Sequence, residues 1–240
     1  MYAPAHTAIA LAAKRADPSA SLFGLMVAAQ GSELLWVTFS YLGIEHSTVD
    51  KGGTLHLEYL PYSHSLLTGL GGGMFLWALL RWVFRRNDVA TIFGWVFASH
   101  IVLDFIQHEP NLQIAPGIAT PTFGLNLQSI PWLDFAIELA LCVACWAYYR
   151  GSVRLLIGFI ALNVINIPLM LSGDGGASPL ASNPIILPTI ILFTIVLAWV
   201  VVYIFRKPRQ GAAAAADQND SAHERTEVHE ATPAAPTNNR

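Results

Sequence analysis

Six stretches of about 20 predominantly apolar residues constrain this chain more than any other feature of its sequence. A helix of about 20 residues crosses the hydrocarbon core of a bilayer, which is about 30 Å thick. Helix is the expected conformation, because an open strand in lipid would leave its backbone N–H and C=O groups unpaired. We therefore predict an all-α polytopic membrane protein with about six transmembrane helices. These helices are expected at residues 21–42, 64–84, 89–107, 130–149, 153–171 and 184–205.

The composition excludes the main classes of soluble protein. Hydrophobic residues make up 54% of the 240 residues and charged residues only 12%, whereas a soluble domain has about 25% charged residues. A net charge of −3 leaves no basic footprint for nucleic acid, so the expected partner is the lipid bilayer. Residues 1–208 form the predicted membrane domain. Residues 209–240 are rich in Ala, Pro and polar side chains, and they predict a disordered cytoplasmic tail.

The basic residues between the apolar segments indicate how the chain is oriented. Ten lysines and arginines lie in the loops and flanks that share one side of the predicted membrane. The loops of the opposite side, residues 43–63, 108–129 and 172–183, contain only Lys51. Because basic loops stay on the cytoplasmic side, both termini are predicted to be cytoplasmic. A wrong number of spans would have distributed the basic residues over both sides of the membrane, so the charge pattern supports six spans.

A shorter apolar stretch, residues 3–13, precedes the first predicted span and contains His6. It is too short to cross a bilayer, and Lys14 and Arg15 follow it. Two interpretations remain open. A re-entrant half-helix would hold His6 about 12 Å inside the cytoplasmic boundary, whereas an amphipathic surface anchor would carry the histidine incidentally.

Ionisable side chains within the predicted spans are candidates for function, because charge is costly inside a bilayer. His100 and Asp104 form an H-x-x-x-D pair on one helical face, and two ligands so placed can grip one metal ion. The same spacing also suits an aspartate that bonds a neighbouring helix. His64 opens the second span between two serines that can cap the helix or orient its ring. Glu33 lies about 20 Å along the first span.

Charge balance favours combining these residues in one site. Glu33 and Asp104 carry a charge of −2 when ionised, while the three histidines can bind a metal as neutral imidazoles. One Zn²⁺ or Mn²⁺ would neutralise the cluster, which a site of low dielectric needs more than an aqueous one. Mixed imidazole and carboxylate ligands suit a borderline transition metal over Ca²⁺ or Mg²⁺.

The order of these motifs resembles that of the bacterial membrane-bound metal-dependent hydrolases, whose motif order is similar to that of zinc-dependent phospholipases C. The resemblance covers roughly residues 1–130 and implies a location in the bacterial inner membrane. It rests on His6-Thr7, then Glu33, then His64-Ser65, then the H-x-x-x-D pair. It implies that the metal ligands or their partners are His6, Glu33, His64, His100 and Asp104.

Two segments depart from the pattern of that family. Its Pro-Asp-x-Asp stretch is replaced here by Gln-Gly-Ser-Glu at residues 30–33. Its arginine–glycine element ahead of the histidine–serine pair is replaced by Pro-Tyr-Ser at residues 61–63. With one of two aspartates lost, the site either holds a single metal ion or is degenerate.

Three functions follow from these observations, and the first is a multi-pass inner-membrane hydrolase of a lipid-like ester or phosphodiester. In it Glu33 is a further ligand or the general base, and the metal ligands are His6, His64, His100 and Asp104. The second is a proton- or cation-coupled transporter that uses Glu33, Asp104 and Glu138. The third is a non-enzymatic membrane assembly factor in which the polar groups lock helices together.

Overall fold

The computed structural model describes residues 2–49, 55–59, 61–171 and 185–207. Within these residues the chain is mostly helical, with eight α-helices and two short hairpins. The predicted tail, residues 209–240, lies outside the described residues. The helices are α1 (Ala3–Ala16), α2 (Leu22–Ala29), α3 (Gly31–Tyr41), α4 (Leu66–Ala78), α5 (Asn87–Gln107), α6 (Pro131–Tyr149), α7 (Val153–Leu171) and α8 (Ile186–Phe205).

The two hairpins are the part of the fold that the all-α prediction missed. Strand β1 (His46–Val49) pairs antiparallel with β2 (Leu55–Tyr59), and β3 (Leu112–Ala115) pairs antiparallel with β4 (Ile118–Phe123). Gly117, at φ +82°, lies in the turn between β3 and β4, where a positive φ favours glycine. Both hairpins lie in loops that the charge pattern assigns to the same side. They escaped prediction because four to six residues are too few for a distinct apolar period.

All six predicted spans are helical, but length and composition support fewer crossings among the described residues. The helices α5, α6 and α8 are each long and apolar enough to cross a membrane. The same is true of Leu66–Val83, in which α4 continues into a π-helical turn. The α2–α3 pair adds a fifth if it counts as one span. The apolar part of α7, Val153–Pro168, is shorter. The count of six and the side of the termini therefore stay predictions.

The first predicted span is not continuous, because it breaks at Gln30. The axes of α2 and α3 differ by 58° across this residue. The Gln30 side chain is fully buried, and its amide nitrogen donates to the Ala3 carbonyl at 2.9 Å. The next residue, Gly31, packs so closely on the Phe97 ring that a Cβ would collide with it. The break therefore leaves the last carbonyl of α2, that of Ala29, without an intrahelical partner.

Helix α1 lies inside the helical assembly. Nine of its 14 residues are buried, and it packs against α2, α5, α6 and α8. Alanines dominate its sequence, and such small side chains let helix backbones approach closely. Burial on this scale does not fit an amphipathic anchor lying on a membrane surface. Of the two interpretations of this segment, the buried half-helix agrees with the structure.

Glycines bring α4 against α5. Gly69, Gly72 and Gly73 all face α5, and a Cβ at Gly73 would lie 2.7 Å from the carbonyl oxygen of Gly94. Gly71, in contrast, points away from α5 towards open space beside its own helix. Small residues at helix contacts are the usual device for close approach in membranes. This packing places the N-terminal end of α4 beside the C-terminal half of α5, where the candidate site lies.

The outer surface of the helices is apolar where a soluble protein would be polar. Met74 of α4 and Trp95 of α5 are each at least 70% exposed, and Phe193 of α8 is also well exposed. Extended exposed apolar surface of this kind marks contact with a membrane or a partner. Together with the long apolar helices, it supports a membrane protein.

Candidate metal centre

Five side chains from four parts of the fold converge on one buried cluster, which we call the His/Asp/Glu cluster. His6 comes from α1, Glu33 from α3, His64 from the turn before α4, and His100 and Asp104 from α5. They are the five residues singled out from the sequence, and the structure brings all of them together. Four are at most 3% exposed, while the Glu33 side chain is 18% exposed. Glu33 is thus the member of the cluster most open to its surroundings.

Asp104 lies at the centre of the cluster, with histidines on both of its oxygens. Oδ2 lies 3.0 Å from His100 Nε2 and 3.6 Å from His64 Nε2. Oδ1 lies 3.9 Å from His6 Nε2. Glu33 Oε1 in turn lies 3.8 Å from His64 Nε2. All three imidazoles therefore present Nε2 to the same small volume.

The other nitrogen of His100 fixes the tautomer of its ring. Nδ1 lies 2.9 Å from the Ala29 carbonyl oxygen, the group freed by the break between α2 and α3. A carbonyl only accepts hydrogen bonds, so Nδ1 carries the hydrogen, and in a neutral ring Nε2 presents a lone pair. This lone pair faces Asp104 Oδ2, which is also an acceptor when the carboxyl group is ionised. Two acceptors 3.0 Å apart repel each other unless a proton or a metal ion lies between them.

His64 is held by the two serines that flank it. Ser63 Oγ lies 2.7 Å from His64 Nδ1, and Ser65 Oγ accepts the backbone N–H of Thr68 at 3.1 Å to cap α4. The sequence prediction left capping and ring orientation as alternatives for these serines. The structure gives one role to each of them. Ser63 also contacts the buried Glu45 carboxylate.

His6 reaches the cluster because α1 is anchored at its first turn. The imidazole of His6 stacks on that of His100, with ring centroids 3.9 Å apart and an interplanar angle of 12°. At the start of α1, the backbone N–H of Tyr2 donates to Glu138 Oε1 at 2.7 Å. Glu138 belongs to α6, is fully buried and pairs with this helix terminus.

Two groups of three ligand atoms in the cluster are compact enough to hold a metal ion. One consists of His6, His100 and Asp104, the other of Glu33, His64 and His100, and within each the ligand atoms lie within 4.8 Å of one another. Ligand atoms about 2.1 Å from a tetrahedral metal are about 3.4 Å apart, close to the distances around Asp104. Imidazole nitrogens with carboxylate oxygens are a donor set for Zn²⁺ and similar ions. The residues present therefore fit such an ion.

The imidazole ring of His108 lies beside the cluster but belongs to neither group of metal-ligand atoms. Its ring centroid lies 5.9 Å from that of His64, and the side chain is 6% exposed. Burial lowers the pKa of this imidazole to about 4, so the ring is neutral at neutral pH. The segment that follows folds back on α5, where the Asn126 backbone N–H donates to the His108 carbonyl at 2.8 Å.

Two features of the site were not found from the sequence. Glu45 lies 18 residues before Ser63, in a loop assigned to the aqueous side, and nothing in its local pattern marks it as buried. The Ala29 carbonyl is a backbone group, so the residue type at this position does not indicate that it contacts His100. The one usable signal was the polar run Gln30-Gly31-Ser32-Glu33 inside an apolar segment, which is where the helix breaks.

Comparison with known proteins finds no matching family model, no matching curated protein and no matching solved structure. The geometry of the site therefore carries the functional argument for this chain. The resemblance in motif order to membrane-bound metal-dependent hydrolases stays a prediction from the residues themselves.

Proposed function

We propose that this chain is a membrane-embedded, metal-dependent hydrolase. Ligand-type side chains far apart in sequence, from His6 to Asp104, meet in a buried volume that long apolar helices surround. In this proposal the ion, Zn²⁺ or Mn²⁺, is held by His6, His64, His100 and Asp104. Once bound, it would act as a Lewis acid towards an ester or phosphodiester and towards water.

The contact between His100 Nε2 and Asp104 Oδ2 carries this proposal. The hydrogen bond from Nδ1 to Ala29 directs the second nitrogen of His100 at a carboxylate oxygen 3.0 Å away. Metal-binding histidines commonly use one nitrogen for such a fixing hydrogen bond and the other for the metal. A cation between the two acceptors turns their repulsion into attraction. A proton would do so as well, and the experiments below separate the two.

The same hydrogen bond favours one metal ion per chain. Since its Nδ1 is engaged, His100 has a single nitrogen to offer. The two ligand groups share this residue, so they cannot both be complete around separate ions. One divalent cation also balances the two carboxylates of the cluster, which lowers the cost of burying them.

Glu33 is the proposed general base. It is the most exposed member of the cluster, and its carboxylate oxygen Oε1 lies 3.8 Å from His64 Nε2. A carboxylate so placed can hold a water molecule beside the cluster and accept its proton during attack on a carbonyl or phosphoryl group.

The proposed substrate is a lipid-like ester or phosphodiester. A site surrounded by apolar helices favours a molecule that partitions into the bilayer, while the reacting bond needs the polar cluster. This step also rests on the motif resemblance, which is an analogy. The six-span topology, both termini in the cytoplasm and a place in the bacterial inner membrane complete the proposal.

Hydrolysis of defined lipids by the purified full chain tests the proposed activity. Vesicles containing fluorescent ester or phosphodiester lipids are incubated with zinc-loaded wild-type protein and with Glu33→Gln. We expect product release by the wild type and a rate about 10²–10⁴-fold lower for the variant, which should retain its metal. Equal rates for both proteins would remove Glu33 from the mechanism. An absence of turnover on both lipid classes would contradict the proposed substrate.

The transporter alternative predicts a different result for Glu138. In the structure this carboxylate accepts the Tyr2 N–H at the start of α1, a contact that serves the helix. A proton-coupled transporter would show ion or proton flux in liposomes that Glu138→Gln abolishes. An assembly factor would show neither flux nor turnover, and variants of its polar residues would differ from the wild type only in how well they capture the partner protein.

A further inference from the structure

A buried chain of hydrogen bonds runs from Glu45 through Ser63 to His64. Glu45 is 1% exposed, and its Oε2 lies 2.6 Å from Ser63 Oγ. Ser63 Oγ in turn lies 2.7 Å from His64 Nδ1. The second oxygen of Glu45 accepts the backbone N–H groups of Tyr62 and Ser63 at 2.8 and 2.9 Å. Three hydrogen bonds thus tie Glu45, the residue before β1, to the turn that precedes α4.

The direction of donation in this chain follows from the chemistry of its members. An ionised carboxylate has no hydrogen to donate, so the single hydroxyl hydrogen of Ser63 points to Glu45. Ser63 Oγ must then accept from His64, which places a hydrogen on Nδ1. A neutral imidazole with its hydrogen on Nδ1 presents a lone pair at Nε2. That nitrogen is the one 3.6 Å from Asp104 and 3.8 Å from Glu33.

We infer that Glu45 and Ser63 are positioning residues that fix the tautomer and orientation of His64, so that its Nε2 lone pair faces the His/Asp/Glu cluster. The consequence for metal binding rests on the proposed function, but the tautomer itself does not. Neither residue belongs to a ligand group; both act through the ring that Ser63 contacts. His100 has the simpler version of the same device, with the Ala29 carbonyl as its acceptor.

Replacing Glu45 by Gln should reverse the direction of donation in these hydrogen bonds while keeping the shape of the side chain. The amide keeps one carbonyl oxygen for the two backbone donors, but its NH₂ group now donates to Ser63 Oγ. The Ser63 hydroxyl hydrogen no longer has an acceptor at residue 45 and can donate to His64 Nδ1, which favours the tautomer with its ring hydrogen on Nε2. We expect the zinc affinity of the full-length protein in detergent to fall about 10–100-fold, the usual effect of losing such a partner.

Variants of Ser63 provide the matched controls. Ser63→Ala removes the bridging hydroxyl and should lower zinc affinity in the same range. Ser63→Thr keeps a hydroxyl at the same position and should restore most of the affinity. If Ala and Thr weaken zinc binding equally, the hydroxyl is not the active feature and the inference fails. The unfolding midpoint of each metal-free variant shows that the protein remains folded.

The tautomer can be read directly, without any metal. In ¹⁵N-histidine-labelled, metal-free protein at a pH where His64 is neutral, NMR distinguishes hydrogen on Nδ1 from hydrogen on Nε2. The His64 signals are assigned by their absence in His64→Asn. We expect Nδ1–H in the wild type and Nε2–H in Glu45→Gln. A wild-type ring with Nε2–H would overturn the inference, even if the protein binds zinc. The expected tautomers in a protein that binds no zinc would support it while contradicting the proposed function.

Discussion

His64 and His100 each use one ring nitrogen to secure the imidazole and direct the other at Asp104. The securing acceptors are Ser63 Oγ and the Ala29 carbonyl, at 2.7 and 2.9 Å. Fixing both rings before any ligand arrives lowers the cost of ordering them on binding. At the scale of residues, the cluster is therefore organised in advance to present lone pairs. That arrangement suits a cation and disfavours an empty state.

Asp104→Asn separates a metal site from a proton-bridged ion pair. The amide NH₂ of Asn can donate to His100 Nε2, so it replaces a repulsive contact by a hydrogen bond. For a metal site we expect metal binding to be lost while the free energy of unfolding of the metal-free protein rises by about 1 kcal/mol. For a protonated His100, loss of the ionic partner would lower the stability instead. Thermal unfolding with and without zinc measures both effects.

Asp88→Asn is the matched control on the same helix. Asp88 lies in the first turn of α5 and forms an exposed ion pair with Arg86 at 3.0 Å, away from the cluster. Its substitution should leave zinc binding unchanged. A loss of zinc in both variants would mean that the effect comes from α5 as a whole.

At the scale of elements, two contacts set the position of the cluster. Glu138 holds the first turn of α1 through the Tyr2 N–H, and glycines hold α4 against α5. A carboxylate at a helix N-terminus satisfies a backbone donor and interacts favourably with the helix dipole. His6 lies one turn further along α1, so the first contact places its ring. The second contact places His64 beside His100.

Substitutions of Glu138 test the first contact. Glu138→Gln keeps a carbonyl oxygen for the Tyr2 N–H, so we expect near wild-type stability and zinc affinity. Glu138→Ala leaves that N–H unpaired and should cost about 1–3 kcal/mol of unfolding free energy, with weaker zinc binding because His6 is displaced. Equal effects of Gln and Ala would show that the charge of Glu138 matters, which would favour the transporter alternative.

Substitutions of two nearby glycines test the second contact. A side chain at Gly73 meets the Gly94 backbone carbonyl, which cannot move aside, whereas Gly71 has space around it. We expect Gly73→Val to separate α4 from α5, to cost about 1–3 kcal/mol and to abolish zinc binding. Gly71→Val should fold and bind zinc. Normal zinc affinity in Gly73→Val would mean that this helix contact does not position His64.

For the whole molecule, the sequence predicts the helical segments and the members of the cluster but not how they connect. The length of each apolar segment identifies a helix because the thickness of the bilayer sets that length. Ionisable residues such as Asp104 stand out within these segments because their burial in a bilayer costs free energy. The break at Gln30 was missed because the length of an apolar segment does not show where its helix is interrupted. Here the Ala29 carbonyl at the end of α2 contacts the His100 side chain. Glu45 was missed because its burial depends on Ser63, which is distant in sequence. The hairpins were missed because they are short.

A bound metal should also stabilise the whole molecule. An ion that binds only the folded chain adds about 2.7 kcal/mol to the free energy of unfolding at 100 times its dissociation constant. Since its proposed ligands come from α1, α5 and the turn before α4, the ion would link separate parts of the first half of the chain. We expect zinc to raise the unfolding midpoint of the wild type, and not that of His100→Ala with Asp104→Ala. A rise in both proteins would place the zinc elsewhere.

The metal-to-protein ratio of the purified full-length chain tests the central claim most directly. Elemental mass spectrometry of wild-type protein, dialysed against metal-free buffer after loading with zinc or manganese, should give about one ion per chain. The His100→Ala, Asp104→Ala double variant should give almost none. A wild-type protein that retains no ion, or a double variant that retains as much as the wild type, would contradict the assignment of the His/Asp/Glu cluster as a metal centre.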